Sequence, residues 1–301
     1  MAETVGMIGL GIMGSAMASN LVKAGFRVVG YDVVPKARAA HRRAGGVVAR
    51  SGRDVARRAP IVVTSLPSAG ALAAVVEEIA GGRRRDLVVV ETSTLPLDVK
   101  HAAERRLARA GVTLLDCPLS GTGAQARTKD LLVYASGPRA AYRRCTAVFG
   151  GFARGHHYLG KFGNGSKMKY VANLLVAIHN VAAAEAMVLA RKCGLDPALT
   201  LRVVADGAGS SRMLQVRGPM MVKDDYADAT MKVEVWQKDM QIIGEFAREV
   251  GCPTPLFAAS APIYTAAIAE GYAKADTGAV AAVLGAMAGL PPRRRRRATR
   301  P

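Results

Sequence analysis

Thr4-Val5-Gly6-Met7-Ile8-Gly9-Leu10-Gly11-Ile12-Met13-Gly14-Ser15 decides the fold. A short apolar run enters a glycine hexad, and the hexad opens the Ala-, Met- and Leu-rich stretch Ser15–Ala24, which has the pattern of a helix. Strand, Gly-x-Gly-x-x-Gly turn and helix together form a dinucleotide cradle. Gly9 permits the tight turn, Gly11 lets a pyrophosphate approach the backbone, and Gly14 allows the helix to pack closely. N–H groups at the helix start then face the phosphates, with Leu10, Ile12 and Met13 completing the contact stretch. Asp32 ends a second strand, Arg27–Tyr31, 18 residues after Gly14. A carboxylate there accepts from both adenosine ribose hydroxyls and repels a 2′-phosphate, so NAD is expected in preference to NADP. Lys36 and Arg38, just downstream, temper that preference.

Outward from this motif the chain alternates short β-branched runs with Ala-rich segments, the signature of an α/β domain with a helix-covered parallel sheet. The expected strands are Thr4–Ile8, Arg27–Tyr31, Ile61–Leu66, Leu87–Glu91, Thr113–Asp116 and Leu131–Ser136. Ile61-Val62-Val63 and Leu87-Val88-Val89-Val90 are continuously apolar, as strands buried on both faces are. After Gly163-Asn164-Gly165 the period lengthens, with Met168, Val171, Ala172, Leu175, Ile178 and Ala182 spaced as one face of a long helix that runs to Cys193-Gly194. At about 1.5 Å per residue it spans roughly 40 Å, enough to leave the first domain and found an all-α second one. The expected division is a dinucleotide-binding domain over 1–163, an all-α substrate and oligomerisation domain over 164–290, and a disordered basic tail over 291–301.

Composition excludes several classes. Half of the 301 residues are apolar, which supports a folded core and argues against disorder. Cys117, Cys145, Cys193 and Cys252 are scattered, without zinc spacing, so no metal is expected and a reducing, cytoplasmic setting fits. The formal charge of +19 invites a nucleic-acid reading, but six arginines fall in the last nine residues and no aromatic-interleaved basic strand accompanies the rest. No nucleic-acid partner is expected. The N-terminus shows no export signal. Val171–Ala190, the most apolar long segment, carries Asn173, His179, Asn180 and Glu185, so it reads as a buried helix and not as a membrane span.

Lys169 and Asn173 stand at i and i+4 near the start of the long helix. The positive end of the helix dipole disfavours an ammonium there, a disadvantage for a surface lysine and an advantage for a general base. Lys167, two residues earlier, faces elsewhere and reads as a solvated side chain.

At these residues the chain resembles the β-hydroxyacid dehydrogenases, a family that includes 3-hydroxyisobutyrate dehydrogenase, tartronate semialdehyde reductase and 6-phosphogluconate dehydrogenase. The resemblance runs from residue 4 to about 290 and rests on separated motifs. Gly9–Gly14 with Met17-Ala18-Ser19-Asn20-Leu21 is similar to the family's extended cofactor fingerprint, and Thr64-Ser65-Leu66-Pro67 to the loop that lines the nicotinamide, implying cofactor contacts for Leu66 and Pro67. Glu91-Thr92-Ser93-Thr94 resembles its Asp-x-Ser-Thr segment, which puts Thr94 on the cofactor. Asp116-Cys117-Pro118-Leu119-Ser120-Gly121-Thr122 resembles the segment that holds the substrate carboxylate, implying roles for Ser120, Gly121 and Thr122. Gly163-x-Gly165-x-x-x-Lys169-x-x-x-Asn173 resembles the catalytic stretch, with Lys169 as general acid/base and Asn173 orienting the substrate. Lys238-Asp239 resembles the pair that places Lys238 beside the cofactor.

The resemblance implies a Rossmann-type domain followed by an all-α domain. It also implies an NAD(P)-dependent oxidoreductase that passes a hydride between NAD(H) and a small carboxylate-bearing 3-hydroxy acid or semialdehyde of the 3-hydroxyisobutyrate or 2-hydroxy-3-oxopropionate type. It implies a homodimer or homotetramer. Thr122 in place of a glycine, Pro96 one position early and Trp236-Gln237 before Lys238 depart from the family pattern and put its standard substrates in question. An imine reductase-like NADPH enzyme and a non-catalytic cofactor-binding relative are the alternatives; Lys169 argues against both without abolishing the first, since imine reductases usually lack the lysine and the non-catalytic relatives have lost it.

Overall fold

The computed structural model describes residues 2–82 and 86–291, so the expected basic tail lies, apart from Pro291, outside the described residues. The chain forms two compact units, Met1–Tyr170 and Val171–Pro301.

The first unit runs β1 (Thr4–Ile8), α1 (Ile12–Lys23), β2 (Arg27–Tyr31), α2 (Pro35–Arg43), β3 (Val47–Val48), α3 (Gly52–Arg58), β4 (Ile61–Thr64), α4 (Ala69–Ala80), β5 (Val88–Glu91), α5 (Leu97–Ala108) and β6 (Thr113–Asp116). These six strands make one parallel sheet in the order β3-β2-β1-β4-β5-β6, the doubly wound Rossmann-like arrangement in which ligands bind at the carboxyl ends beside the β1/β4 reversal. Side chains alternate between two cores. Ile61, Val63, Val88 and Val90 join Met17, Leu21, Phe149 and Phe152 on one side, while Val62 and Val89 join Val55, Leu72, Ile79 and Leu107 on the other. Period-two alternation with helices on both faces is why the middles of these strands are apolar, with the buried polar residues Thr64, Glu91 and Asp116 only at their carboxyl ends.

Next come β7 (Leu119–Ser120), α6 (Gly123–Arg127), β8 (Leu132–Ala135), α7 (Arg139–Phe152) and β9 (Gly155–Tyr158). Here the expectation needs correction. The Leu131–Ser136 run does not extend the parallel sheet but centres a separate three-stranded sheet, antiparallel to β7 and parallel to β9. The helix α8 (Asn164–Lys192) begins in this unit and continues into the second.

The second unit adds α9 (Pro197–Asp206), α10 (Arg212–Lys223), α11 (Val233–Glu249), α12 (Pro255–Ala269), a 3-10 turn at Thr277–Ala279 and α13 (Val280–Met287), with no strand among its described residues. Its centre is Val233, Ala267 and Val283, with Trp236 packed on Tyr264. The stripe that marks the period of α8 lies largely outside its buried line: Met168, Val171 and Leu175 are exposed, and the buried line includes Asn173, Ala177, Asn180, Val181, Ala184 and Met187. The amide nitrogens of both asparagines find acceptors there, as buried donors generally do. Asn180 Nδ2 donates to the Thr277 carbonyl (2.8 Å) and the Tyr264 hydroxyl (3.0 Å). One buried hub holds the connections: Asp276 accepts from Arg217 Nε (2.9 Å), Thr230 N and Oγ1 (2.7 Å each), Met231 N (3.2 Å) and Gly278 N (2.9 Å).

Candidate active site

The glycine hexad lies between β1 and α1, and its three glycines answer to different constraints. Gly9 has φ +88°, and a side chain on it would run into the Ser65 carbonyl. One on Gly14 would run into the Gly9 carbonyl. Both are required by the fold. Gly11 faces open space, with nothing within 4 Å of where its Cβ would stand, and caps α1 without any side-chain hydrogen bond. No neighbour in the chain explains that glycine, whereas a pyrophosphate lying on the α1 start would. The residues present therefore fit a dinucleotide. Leu10 and Met13 pack inward, while Ile12 is exposed at the α1 start.

Asp32 follows β2, where its Oδ2 accepts the Leu10 N–H (2.6 Å) and its Oδ1 the Val34 N–H (2.8 Å), which joins the β2 end to the glycine turn. Val33 and Val34 are exposed beside it. Arg38 donates to the Asp32 carbonyl (2.6 Å) and the Val33 carbonyl (3.1 Å) and lies 5.7 Å from the Tyr31 ring centroid, so its guanidinium sits at this same rim.

The loops after β4, β5 and β6 end at the same sheet edge. Leu66 N–H donates to Ser93 Oγ (2.8 Å) and Thr92 Oγ1 to the Thr64 carbonyl (2.7 Å), which rivets the Thr64–Pro67 loop to the Glu91–Thr94 loop. Leu66 and Thr94 are half-buried and Pro67 is exposed. Ser120 and Gly121 follow at β7. Thr122 caps α6 in a reciprocal box in which its N–H donates to Gln125 Oε1 (3.0 Å), so the amide expected to grip a carboxylate at Thr122 is already committed.

Lys169 stands half-buried in the first turns of α8, and Lys167 is exposed. The helix start is held by residues whose importance the sequence did not reveal. Asp116 Oδ2 accepts the Ser166 N–H (2.7 Å) and Oδ1 accepts from Ser166 Oγ (2.8 Å). Ser136 Oγ accepts the Gly165 N–H (2.9 Å), and Gly165 must lack a side chain because the Tyr134 and Asp116 carbonyls occupy its place. Lys100 reaches Asp116 and Glu91 beneath them.

The second unit carries Asn173 and Lys238. Asn173 Nδ2 donates to Asp239 Oδ2 (2.9 Å), and Lys238 Nζ lies 3.0 Å from Asp239 Oδ1. A carboxylate only accepts, so Asp239 fixes which end of the Asn173 amide faces it. The sequence pointed to the Lys-Asp pair without giving Asp239 this task. Trp236, suspected of shaping the substrate end, is buried against Tyr264.

Comparison with known proteins gives the family. The family model described as the NAD binding domain of 6-phosphogluconate dehydrogenase matches residues 4–160, and the model described as NAD-binding of NADP-dependent 3-hydroxyisobutyrate dehydrogenase matches residues 163–284. The chain is 34% identical to an L-threonate dehydrogenase of Cupriavidus necator over 284 residues, which cover 93% of this chain and 95% of that one. It is 28% identical to the mitochondrial 3-hydroxyisobutyrate dehydrogenase of Homo sapiens, over 92% of this chain and 85% of that one. Among solved structures, a 3-hydroxyisobutyrate dehydrogenase from Salmonella typhimurium superposes with a TM-score of 0.83 at 30% identity, over 93% of this chain and 99% of that one. An imine reductase from Pseudomonas sp., at TM-score 0.60 and 18% identity over 95% of this chain and 100% of that one, shares the fold. The chain thus belongs to the NAD(P)-dependent β-hydroxyacid dehydrogenase family.

Proposed function

We propose that the protein reversibly oxidises a small 3-hydroxy acid to its carbonyl form, with NAD preferred over NADP. The observation that carries this reading is Lys169, set in the first turns of a helix whose start hydrogen-bonds to the end of β6, immediately before the Cys117–Thr122 segment. NAD(H), when bound, accepts or supplies the hydride. Lys169 takes the hydroxyl proton during oxidation and returns it during reduction. The Ser120 hydroxyl and the Gly121 backbone hold the carboxylate, which fixes the reacting carbon without a neutralising cation. Asn173, whose amide Asp239 orients, takes the reacting oxygen, and the family resemblance assigns Lys238 to the cofactor. Gly9–Gly14, Leu66, Pro67 and Thr94 form the cofactor bed.

Asp32 supports the NAD preference, since a 2′-phosphate would meet its carboxylate; Arg38, already engaged by two carbonyls and Tyr31, is less available to offset that repulsion. The relatives named for L-threonate and 3-hydroxyisobutyrate define the substrate class to search. The apolar residues exposed on α8 and α9, Leu175, Leu189 and Val203 among them, support a homodimer or homotetramer.

The deciding experiment follows NADH formation over L-threonate, 3-hydroxyisobutyrate, glycerate and their homologues, with NADP+ in parallel and a cyclic imine with NADPH as the contrasting substrate. Turnover of at least one 3-hydroxy acid with NAD+ is expected. Reduction of the imine alone would overturn the reading.

A further inference from the structure

Lys100 projects from α5 into the unit that contains Lys169. Its Nζ lies 2.7 Å from Asp116 Oδ1 and 2.7 Å from Glu91 Oε2, and all three side chains are 0% exposed. Glu91 and Asp116 are direct neighbours in the β5/β6 register, so without a cation two buried carboxylates would face each other at the sheet edge. Burial alone would lower the Lys100 pKa, but Asp116 and Glu91 outweigh it and hold the ammonium charged above the ordinary lysine range. Lys100 is therefore a fixed cation and not a second base.

The rest of the network runs to the functional loops. Glu91 Oε1 accepts the Ser93 N–H (2.9 Å), and Ser93 Oγ accepts the Leu66 N–H (2.8 Å), so one arm ends on the expected cofactor loops. Asp116 grips Ser166 through both N–H and Oγ, so the other arm ends on the first turn of α8, one turn before Lys169. Two carboxylates against one ammonium leave a net negative charge, which the α8 start favours. As a source of stability the arrangement is poor, because buried ion pairs rarely outperform apolar packing of the same volume. As a geometric device it is effective, because the two carboxylates together reach Lys100 on α5, Ser93 after β5 and Ser166 on α8.

We propose that Lys100 is a positioning residue for proton transfer: by clamping Glu91 to Asp116 it fixes the first turn of α8, and Lys169 with it, relative to the loops that carry Leu66, Thr94 and Ser120. The proposal rests on the reading of Lys169 as the acid/base.

Three variants test it: Lys100→Met, the charge-balanced double variant Glu91→Gln/Lys100→Met, and Ser166→Ala. Glu77→Gln, which breaks the exposed pair with Arg106, is the control. Lys100→Met strands two carboxylates and is the variant most prone to misfold, so the other two carry the test. Far-UV circular dichroism, NADH fluorescence titration, kcat with KM, and hydrogen exchange of the peptide covering 164–172 are measured on each. In the folded double variant kcat should fall at least about tenfold while KM and the NADH Kd stay within about threefold, the pattern of a lost transition-state alignment. Exchange protection should drop in 164–172 and not in 12–23. Ser166→Ala should move in the same direction by less. A folded double variant with unchanged kcat, or with unchanged protection over 164–172, overturns the proposal. A wild-type protein inactive on every hydroxy acid refutes the functional reading instead; the exchange result alone then decides whether Lys100 orders the start of α8.

Discussion

The two units treat apolar surface and buried charge in opposite ways. In the first, large apolar residues are exposed at Ile12, Val33 and Val34, all at the glycine turn or just after Asp32, and at Met168 near Lys169. In the second they are spread over α8, α9, α11, α12 and α13, and α9 buries no residue at all. Among the described residues, each unit has a buried ionic hub. That of the first, Glu91–Lys100–Asp116, is unbalanced and ends on functional loops, whereas that of the second, Arg217–Asp276, is charge-matched and ends on Thr230, Met231 and Gly278, the joints of its own helices. The first unit invests its polar interior in a site. The second divides its polar interior between its connections and the Asn173–Asp239 pair.

Lys169→Ala tests that contrast hardest. Loss of a general acid/base typically costs about 10²- to 10⁴-fold, so turnover should fall by that range while NADH binding and melting temperature hold. Arginine should not restore it, because a guanidinium does not release its proton at working pH. Lys167→Ala should be nearly silent in the same assay, and equal small losses in both variants would move the proton transfer to another residue.

Asp276→Asn should show the reverse pattern, a stability defect without a chemical one. Burial would raise the Asp276 pKa, but Arg217, the Gly278 N–H and Thr230 outweigh it and hold it below the usual carboxylate range. A lowered folded-state pKa gives stability that is present above the unfolded value of about 3.9 and is lost as pH falls through the folded one. Removing the charge should cost about 3–5 kcal/mol at neutral pH, with the gap to wild type closing on acidification. Thermal melts at pH 7 and in a series running well below the unfolded value of about 3.9 check this; a gap that has not begun to close at the acid end contradicts it.

Within the first unit, Gly11→Val and Gly14→Ala should separate ligand from fold. The first should leave the melting temperature nearly unchanged and weaken NADH binding by at least about tenfold, since its side chain would stand where the pyrophosphate approaches. The second should lower the melting temperature, since its methyl group meets the Gly9 carbonyl. Equal melting losses would make both glycines structural. The smallest effect belongs to Asp32→Ala, which should reduce the preference for NAD over NADP by about tenfold in the ratio of kcat/KM values.

Legibility in the sequence follows the same division. The β1, β2, β4, β5 and β6 runs are readable because helices cover both sheet faces and keep the strand middles apolar. The strands β3 and β7 have two residues each, too few for a period, and β9 contains His156-His157, which reads as a turn or surface segment. The buried face of α8 is not legible because the helix is apolar nearly all round, so spacing alone cannot choose a side; Asn173 and Asn180 mark the buried one through their partners. The candidate lysine and the glycine turn are visible because each breaks a local preference. Lys100 escapes that reading, although it shares the inward line of α5 with Ala103 and Leu107, where a charged residue is a signal in itself.

The Glu91–Lys100–Asp116 hub also imposes an order on sequence drift. Losing either acid first leaves one cation against one anion, a neutral pair that the interior tolerates. Losing Lys100 first leaves two anions side by side, the costly state for a buried pair deprived of its partner. Position 100 should therefore be nearly frozen in the present background and become permissive once position 91 is neutral. A saturation library at position 100, built in both the wild-type and the Glu91→Gln backgrounds and selected for folding, should show that one-way gate as a set of residues accepted only in the second.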